Sequence, residues 1–276
     1  MQAPEGIYVR ELGEGASTLL MVHGGPDWDH SFLVPAARPL SAHRRVMLFD
    51  LRGCGRSFRC ERAGDYTREA AAGDLLQLAR NLPRPIDLLG FSFGGRLAIR
   101  AAEREPNRFR SLILASTATR AAVSWDPEPA ERARRRRAAE AELARLAPKG
   151  DPAAHTRALA LSGLELDVWD RALIPRIRPI IEAVRFSGEW SRDILAAERP
   201  IDGSWLARSE LPVLVVHGER DLRFPADDSA WLAAREGVRR SIIPDAGHLV
   251  HLEAPEAWGR AVADFLAERD ATQPAP

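Results

Sequence analysis

Residues 88–96 read Leu88-Leu89-Gly90-Phe91-Ser92-Phe93-Gly94-Gly95-Arg96, and their reading decides the fold. The apolar run Ile86 to Leu89 before them predicts a short buried strand, and the Ala-rich stretch Leu97 to Arg104 after them has helical character. Gly90-x-Ser92-x-Gly94 therefore falls at a sharp turn from strand to helix, the context of a nucleophile elbow. A serine at the tip of such a turn takes a strained backbone conformation. The residues two before and two after it must lack bulk, because strand and helix crowd together there. The following helix points its free N–H groups and positive dipole end at the serine, where a developing oxyanion would be stabilised. A glycine-rich turn with an incidental serine would show the same pentapeptide, so the rest of the chain has to decide.

At 276 residues the chain has room for one large α/β domain with an insertion, or for two modest domains. Its 45% hydrophobic and 28% charged residues are those of an ordinary soluble globular protein. The formal net charge is zero, which removes any global electrostatic case for nucleic acid or an anionic membrane. Positive charge is carried by arginine with the single exception of Lys149, a pattern that reads as the codon bias of a bacterial source. Schiff-base catalysis and a P-loop both need a lysine, and Lys149 lies in a Pro-Lys-Gly loop suited to neither. Cys54 and Cys60 lack C-x-x-C or zinc spacing and read as reduced structural thiols. No metal or organic cofactor is implied. The N-terminal residues show no basic segment followed by an apolar core, and nothing approaches the ~20 apolar residues of a membrane span. A cytoplasmic protein is the expectation.

Strands are expected at Ile7–Leu12, Thr18–His23, Arg45–Asp50, Ile86–Leu89, Ser111–Ala115, Leu211–His217 and Arg240–Ile243. Helices are expected between them, among them one from Thr67 to Leu82 with Thr67 as its cap, one from Ala226 to Glu236, and a closing one from Pro255 to Arg269 before a frayed tail. Strands alternating with helices predict a mostly parallel sheet covered on both faces. The rhythm breaks from residue 118 to 209, where Pro127 and Pro129 precede a helix from Ala130 to Leu146 and further helical pieces. The expected organisation is a core of residues 1–117 and 210–276 with a helical lid at 118–209. The Arg132 to Arg137 cluster lies beside Glu128, Glu131, Glu140 and Glu142 and reads as a salt-bridged, solvated face.

A serine hydroxyl needs a base within hydrogen-bonding reach, and that base needs a carboxylate to fix its tautomer and stabilise its cation. The chain offers both in the order Ser92, Asp221, His248, each just beyond the carboxyl end of a predicted strand, where an open parallel sheet places its ligands. His251 competes with His248 three residues on, but only His248 follows a glycine. His23 and His217 end strands, where structural hydrogen bonds are expected; Asp50 and Arg52 read as braces of a glycine-rich loop. Cys54 lacks an identifiable base.

Over essentially its whole length the chain resembles the alpha/beta hydrolases. His23-Gly24-Gly25-Pro26 is similar to their oxyanion turn, Gly218-Glu219-Arg220-Asp221 with Pro225 to their acid loop, and Gly247-His248 with Glu253 and Pro255 to their histidine loop. Together with Asp50-Leu51-Arg52-Gly53-Cys54-Gly55-Arg56-Ser57, the His-Gly-Gly-Pro turn is most similar to the proline iminopeptidase group. The resemblance implies an alpha/beta hydrolase fold, a serine hydrolase with a helical cap, Ser92 as nucleophile, Asp221 as orienting acid and His248 as base. It also implies an oxyanion hole made by the N–H groups of Gly25 and Phe93. The chain departs from the iminopeptidase pattern in having Asp27 where glycine is usual and Phe91 and Phe93 where tryptophans flank the serine. Its N-terminal region has room for about one strand before Thr18.

Asp27, beside the oxyanion turn, reads either as a contact to the polar end of a substrate or as a helix cap. Phe91, Trp169 and Asp170 are further candidates for substrate binding. Trp169, Trp190 and Trp205 suggest an apolar pocket, and packing within the lid explains them as well. Helical spacing brings Asp167 and Asp170 onto one face, where they would hold a substrate amine; Arg171, Arg176 and Arg178 nearby favour a solvated surface instead. The expected activity is hydrolysis of a small ester, thioester, lactone or amide of a small molecule or small peptide through an acyl-enzyme. The alternatives are an iminopeptidase-type aminopeptidase, a carbon–carbon bond hydrolase, and a ligand-binding protein on the same fold. The oligomeric state is left open.

Overall fold

The computed structural model describes residues 5–125, 128–146, 150–190 and 200–272. Pro127, the Lys149 loop and the tail from residue 273 lie outside the described residues. Among the described residues seven strands, β1 (Val9–Leu12), β2 (Thr18–Val22), β3 (Arg45–Phe49), β4 (Ile86–Phe91), β5 (Ser111–Ala115), β6 (Val213–Gly218) and β7 (Val238–Ile243), form one sheet in the order β1-β3-β2-β4-β5-β6-β7. The short N-terminal region supplies β1 as an antiparallel edge strand on β3, and every other pairing is parallel. The chain winds outward in one direction from β2 to β3 and in the other from β4 to β7. The order therefore reverses between β2 and β4, and the crevice at their carboxyl ends is where such sheets hold ligands.

The central strands are apolar throughout because both faces are covered. Leu20 and Val22 of β2, Leu88 of β4, and Leu112 and Leu114 of β5 point into one core, packed by α2 (Arg68–Arg80) and α3 (Phe93–Arg104). Their alternates Leu19, Met21, Leu89, Phe91, Ile113 and Ala115 point into the other, packed by α1 (Val34–Leu40) and by the closing helix. The Thr67 hydroxyl accepts from the Ala70 N–H at 3.1 Å and caps α2 as expected.

Between β5 and β6 lie α4 (Ala130–Ala144), α5 (Pro152–Ser162), α6 (Leu164–Asp167) and α7 (Ile174–Glu182). Leu164, Val168, Ile177 and Ile181 from this region join the second core alongside Phe32, Phe91 and Leu249. After β7 come a single turn, α8 (Val250–Glu253), and the closing helix α9 (Pro255–Ala271). The helix expected from Ala226 to Glu236 is instead a 3₁₀ segment, Ala226–Leu232. Within this segment the Asp228 carboxylate accepts from the Thr119 N–H and, at 2.8 Å, from the Thr119 hydroxyl, tying it to the loop after β5. Among the described residues no helix is long and apolar enough to cross a membrane.

Candidate active site

Ser92 follows β4 directly, with φ 52° and ψ −117°, a conformation that an L-residue adopts only when its surroundings impose it. The surroundings are glycines. A Cβ on Gly94 would lie 2.4 Å from the carbonyl oxygens of both Val22 and His23, and one on Gly90 would lie 2.5 Å from the Gly94 carbonyl oxygen. Without those side chains, α3 sits hard against the end of β2 and brings Ser92 beside the turn that continues into Gly24 and Gly25. The Thr117 hydroxyl donates to the Ser92 carbonyl at 2.7 Å and the Ser92 N–H donates to the Ala115 carbonyl at 2.9 Å, which fixes the tip.

The other two residues arrive from β6 and β7. A Cβ on Gly218 would lie 2.2 Å from the Gly247 carbonyl oxygen, so glycine there is what lets the loop after β6 touch the loop after β7. His248 Nε2 lies 3.0 Å from Ser92 Oγ, and His248 Nδ1 lies 2.8 Å from Asp221 Oδ2. A carboxylate only accepts, so Nδ1 carries the hydrogen and Nε2 is left to accept from the serine. Asp221 is fully buried, and its Oδ1 accepts from the backbone N–H groups of Arg223 at 2.6 Å and Phe224 at 3.0 Å. Burial alone would raise the Asp221 carboxyl. Its contacts with His248 and His217 outweigh burial and hold it well below the usual carboxylate range.

Phe93 is the first residue of α3, so its N–H has no partner within the helix, and Gly25, at φ 121°, ends the neighbouring turn. Ser92, His248, Gly25 and Phe91 line one cavity of about 890 Å³ whose walls also include Trp28, Leu159 and Phe224. Phe91 packs against the His248 ring, with centroids 5.2 Å apart. His251 packs against Phe91 and Trp258, and burial lowers it to about 3, so it is a neutral imidazole held among aromatic rings.

Asp27 lines the cavity, yet its Oδ1 is taken up by the segment after α7, accepting from the Ser187 hydroxyl at 3.1 Å and from the N–H groups of Glu189 at 2.9 Å and Trp190 at 3.2 Å. Burial raises its carboxyl above the ordinary value despite these donors. The cap of the following 3₁₀ turn is not Asp27 but Asp29, which accepts from the Ser31 N–H. Trp169 and Asp170 are not brought to Ser92. They line a second, shallower depression with Arg134, Arg135 and Arg171, where the Arg135 guanidinium lies 3.7 Å from the centre of the Trp169 ring. Asp170 is exposed and caps the turn Arg171–Leu173. Asp167 does reach the cavity, but Arg223 neutralises it through bonds of 2.6 and 3.1 Å. Two residues three apart on a helical spacing thus part company, because α6 ends at Asp167 and the chain turns. Trp190 lines the cavity and packs on Phe93, with centroids 5.4 Å apart.

The loop after β3 braces the floor. Asp50 accepts from His30 Nδ1 at 2.6 Å, from the His30 N–H at 3.0 Å and from the Arg56 N–H at 2.9 Å, and Arg52 forks onto Asp74. Asp29, His30 and Asp50 have the composition of a cation site, but these bonds already occupy the atoms that face one another. Burial pushes the Cys54 thiol up, so it stays protonated. His23 donates from Nδ1 to the Gly24 carbonyl at 2.7 Å and accepts the Leu51 N–H on Nε2 at 3.0 Å.

For three residues the sequence did not reveal the bonding partners. His217 Nε2 lies 2.8 Å from the same Asp221 oxygen that His248 uses, and the four-residue interval from His217 to Asp221 was its only sequence signal. Arg132 of α4 donates to the Asp221 carbonyl and stacks on Trp125, inside a cluster that otherwise reads as solvated. The Glu253 carboxylate ties the Gly247 N–H to those of Trp169 and Asp170, joining the histidine loop to the helices between β5 and β6.

A family model described as alpha/beta hydrolase fold matches residues 17–255. The chain is 30% identical over 264 residues to the dihydrolipoyllysine-residue acetyltransferase component of the acetoin cleaving system of Pseudomonas putida, covering 92% of this chain and 64% of that protein. It is 33% identical over 126 residues to a proline iminopeptidase of Clostridioides difficile (strain 630), covering 45% of this chain and 43% of that one. The chain thus spans less than two thirds of the length of either relative. Among solved structures, a thermophilic esterase from Thermogutta terrifontis superposes with a TM-score of 0.72 at 28% identity, covering 95% of this chain and 93% of the esterase.

Proposed function

The chain belongs to the alpha/beta hydrolase fold family, and from that premise we propose that it is a serine hydrolase cleaving a small ester, thioester, lactone or amide through an acyl-enzyme. The observation that carries the reading is the unbroken run from Ser92 Oγ to His248 Nε2 at 3.0 Å and from His248 Nδ1 to Asp221 Oδ2 at 2.8 Å, opening into a cavity of about 890 Å³. In this mechanism Ser92 attacks the substrate carbonyl while His248 takes its proton, and Asp221 stabilises the imidazolium. The N–H groups of Gly25 and Phe93 receive the oxyanion. His248 then protonates the leaving group, and water, activated by the same imidazole, releases the acyl group. No cofactor enters these steps. The region between β5 and β6 acts as a lid, with Leu159 of α5 and Trp190 of the segment after α7 on its side of the cavity.

Ester substrates rank ahead of N-terminal prolyl amides for a reason of charge. An aminopeptidase must hold a cationic amine in a site that excludes water, which takes carboxylates or several acceptors. Here Asp167 is neutralised by Arg223, Asp170 is outside the cavity, and Asp27 accepts from three lid donors. The similarity to an iminopeptidase keeps that activity as the second reading. Covalent labelling with a fluorophosphonate tests the mechanism: the parent should label and Ser92→Ala should not, with an unchanged thermal transition. Matched kcat/KM values on p-nitrophenyl butyrate and prolyl p-nitroanilide test the substrate class. Faster cleavage of the prolyl amide would reverse the ranking. Labelling of Ser92→Ala at the parent's rate would refute the mechanism.

A further inference from the structure

The acid of the site serves two imidazoles at once. Asp221 Oδ2 lies 2.8 Å from His248 Nδ1 and 2.8 Å from His217 Nε2, and all three side chains are nearly or fully buried. His217 Nε2 also lies 3.3 Å from the Phe224 carbonyl oxygen. Both neighbours of that nitrogen are pure acceptors, so Nε2 carries a hydrogen and donates it. With the two backbone N–H groups on Oδ1, Asp221 receives four donors. We propose that His217 is a positioning residue that holds Asp221 in the rotamer facing His248 and, by sharing its negative charge, limits how strongly it stabilises the His248 imidazolium.

The inference rests on the Ser92–His248–Asp221 mechanism proposed above. A base for acyl transfer must be neutral at the working pH to accept the serine proton, yet its cation must be stabilised once the proton arrives. A buried carboxylate paired with one imidazole alone would favour the cation strongly, because little water weakens the attraction. The hydrogen bond from His217 to Asp221 Oδ2 moderates that pull. It also holds Oδ2 from the side of β6, while the Arg223 and Phe224 N–H groups hold Oδ1, so the carboxylate cannot rotate. The charged and titratable groups facing this cluster come from every element packed on it. Arg132 of α4 lies on the Asp221 backbone carbonyl, the Arg223–Asp167 pair joins the acid loop to α6, neutral His251 of α8 lies beyond Phe91, and Glu253 accepts from the Gly247 N–H next to His248. Glu253 is pushed up to about 7 by burial, so its titration is separated from that of His248 by working also in Glu253→Gln.

The test follows the second-order rate of fluorophosphonate labelling against pH in the parent, His217→Phe and His217→Gln, each in the parent and the Glu253→Gln background. The Gln amide nitrogen reaches the position of the imidazole Nε2 and keeps the donor, whereas Phe removes it. The acid limb of the labelling profile should move upward by roughly one pH unit in His217→Phe and return to within a few tenths in His217→Gln. His217→Asn, whose amide ends short of Asp221, replaces His217→Phe if the latter does not fold. A limb that stays in place or moves downward in the variant lacking the donor overturns the proposal. So does an equal displacement in His217→Gln, since a packing role would not distinguish the two. A parent that does not label at all refutes the serine mechanism, an outcome distinct from a labelled parent whose limb His217 does not move.

Discussion

Glu253 offers the sharpest link between pH and stability in this molecule. Its carboxylate is buried and accepts from the N–H groups of Gly247 at 2.6 Å, Trp169 at 2.9 Å and Asp170 at 3.3 Å. Burial outweighs these donors and pushes the carboxyl from 4.5 up to about 7. A group raised in the folded state contributes stability that is fully present below its unfolded value and is lost as pH rises through the folded one. The window here therefore runs from about 4.5 to about 7, and a difference of that size corresponds to about 3 kcal/mol. Glu253→Gln cannot ionise and keeps an acceptor oxygen in the same place. Urea unfolding of parent and variant from about pH 5 to about pH 8.5 should show the parent losing stability relative to the variant by up to about 3 kcal/mol. All other titrating groups are common to both proteins and cancel in the difference. A difference that does not change with pH would refute the reasoning, and one of opposite sign would mean that the three N–H donors hold Glu253 ionised against burial.

Asp221→Asn keeps the shape of the acid but removes its charge, and it should lower turnover on the order of 10⁴-fold. Steady-state rates on p-nitrophenyl butyrate check this; a loss under about tenfold would assign the acid's role elsewhere, with exposed Asp245 the first alternative. Gly94→Ala should destabilise the protein by about 1–3 kcal/mol, even though alanine is the better helix former, because its methyl would press on the Val22 and His23 carbonyls. Activity should fall further than stability, since the displaced strand end carries the Gly24-Gly25 turn. Urea midpoints together with labelling rates measure both.

The parts of this protein legible in its sequence are those that depend on short-range pattern. Seven apolar runs of strand length, the glycines around Ser92 and the capping Thr67 report local backbone geometry, and the strands and α2 form where the pattern puts them. Chain order places Ser92, Asp221 and His248 beyond the ends of β4, β6 and β7, and a parallel sheet gathers those ends on one side. What each remaining carboxylate does was decided only by the tertiary structure. Asp27 bonds to residues about 160 positions away, Asp167 to Arg223, and Glu253 to Trp169. A carboxylate accepts from whatever donor the fold brings to it, and no period in the sequence encodes that donor. Helical spacing grouped Asp167 with Asp170, but α6 ends at Asp167, which sends one residue into the cavity and the other to the surface. For the same reason His217 reads as an ordinary strand end until the loops after β6 and β7 close on one aspartate and two imidazoles meet on a single oxygen.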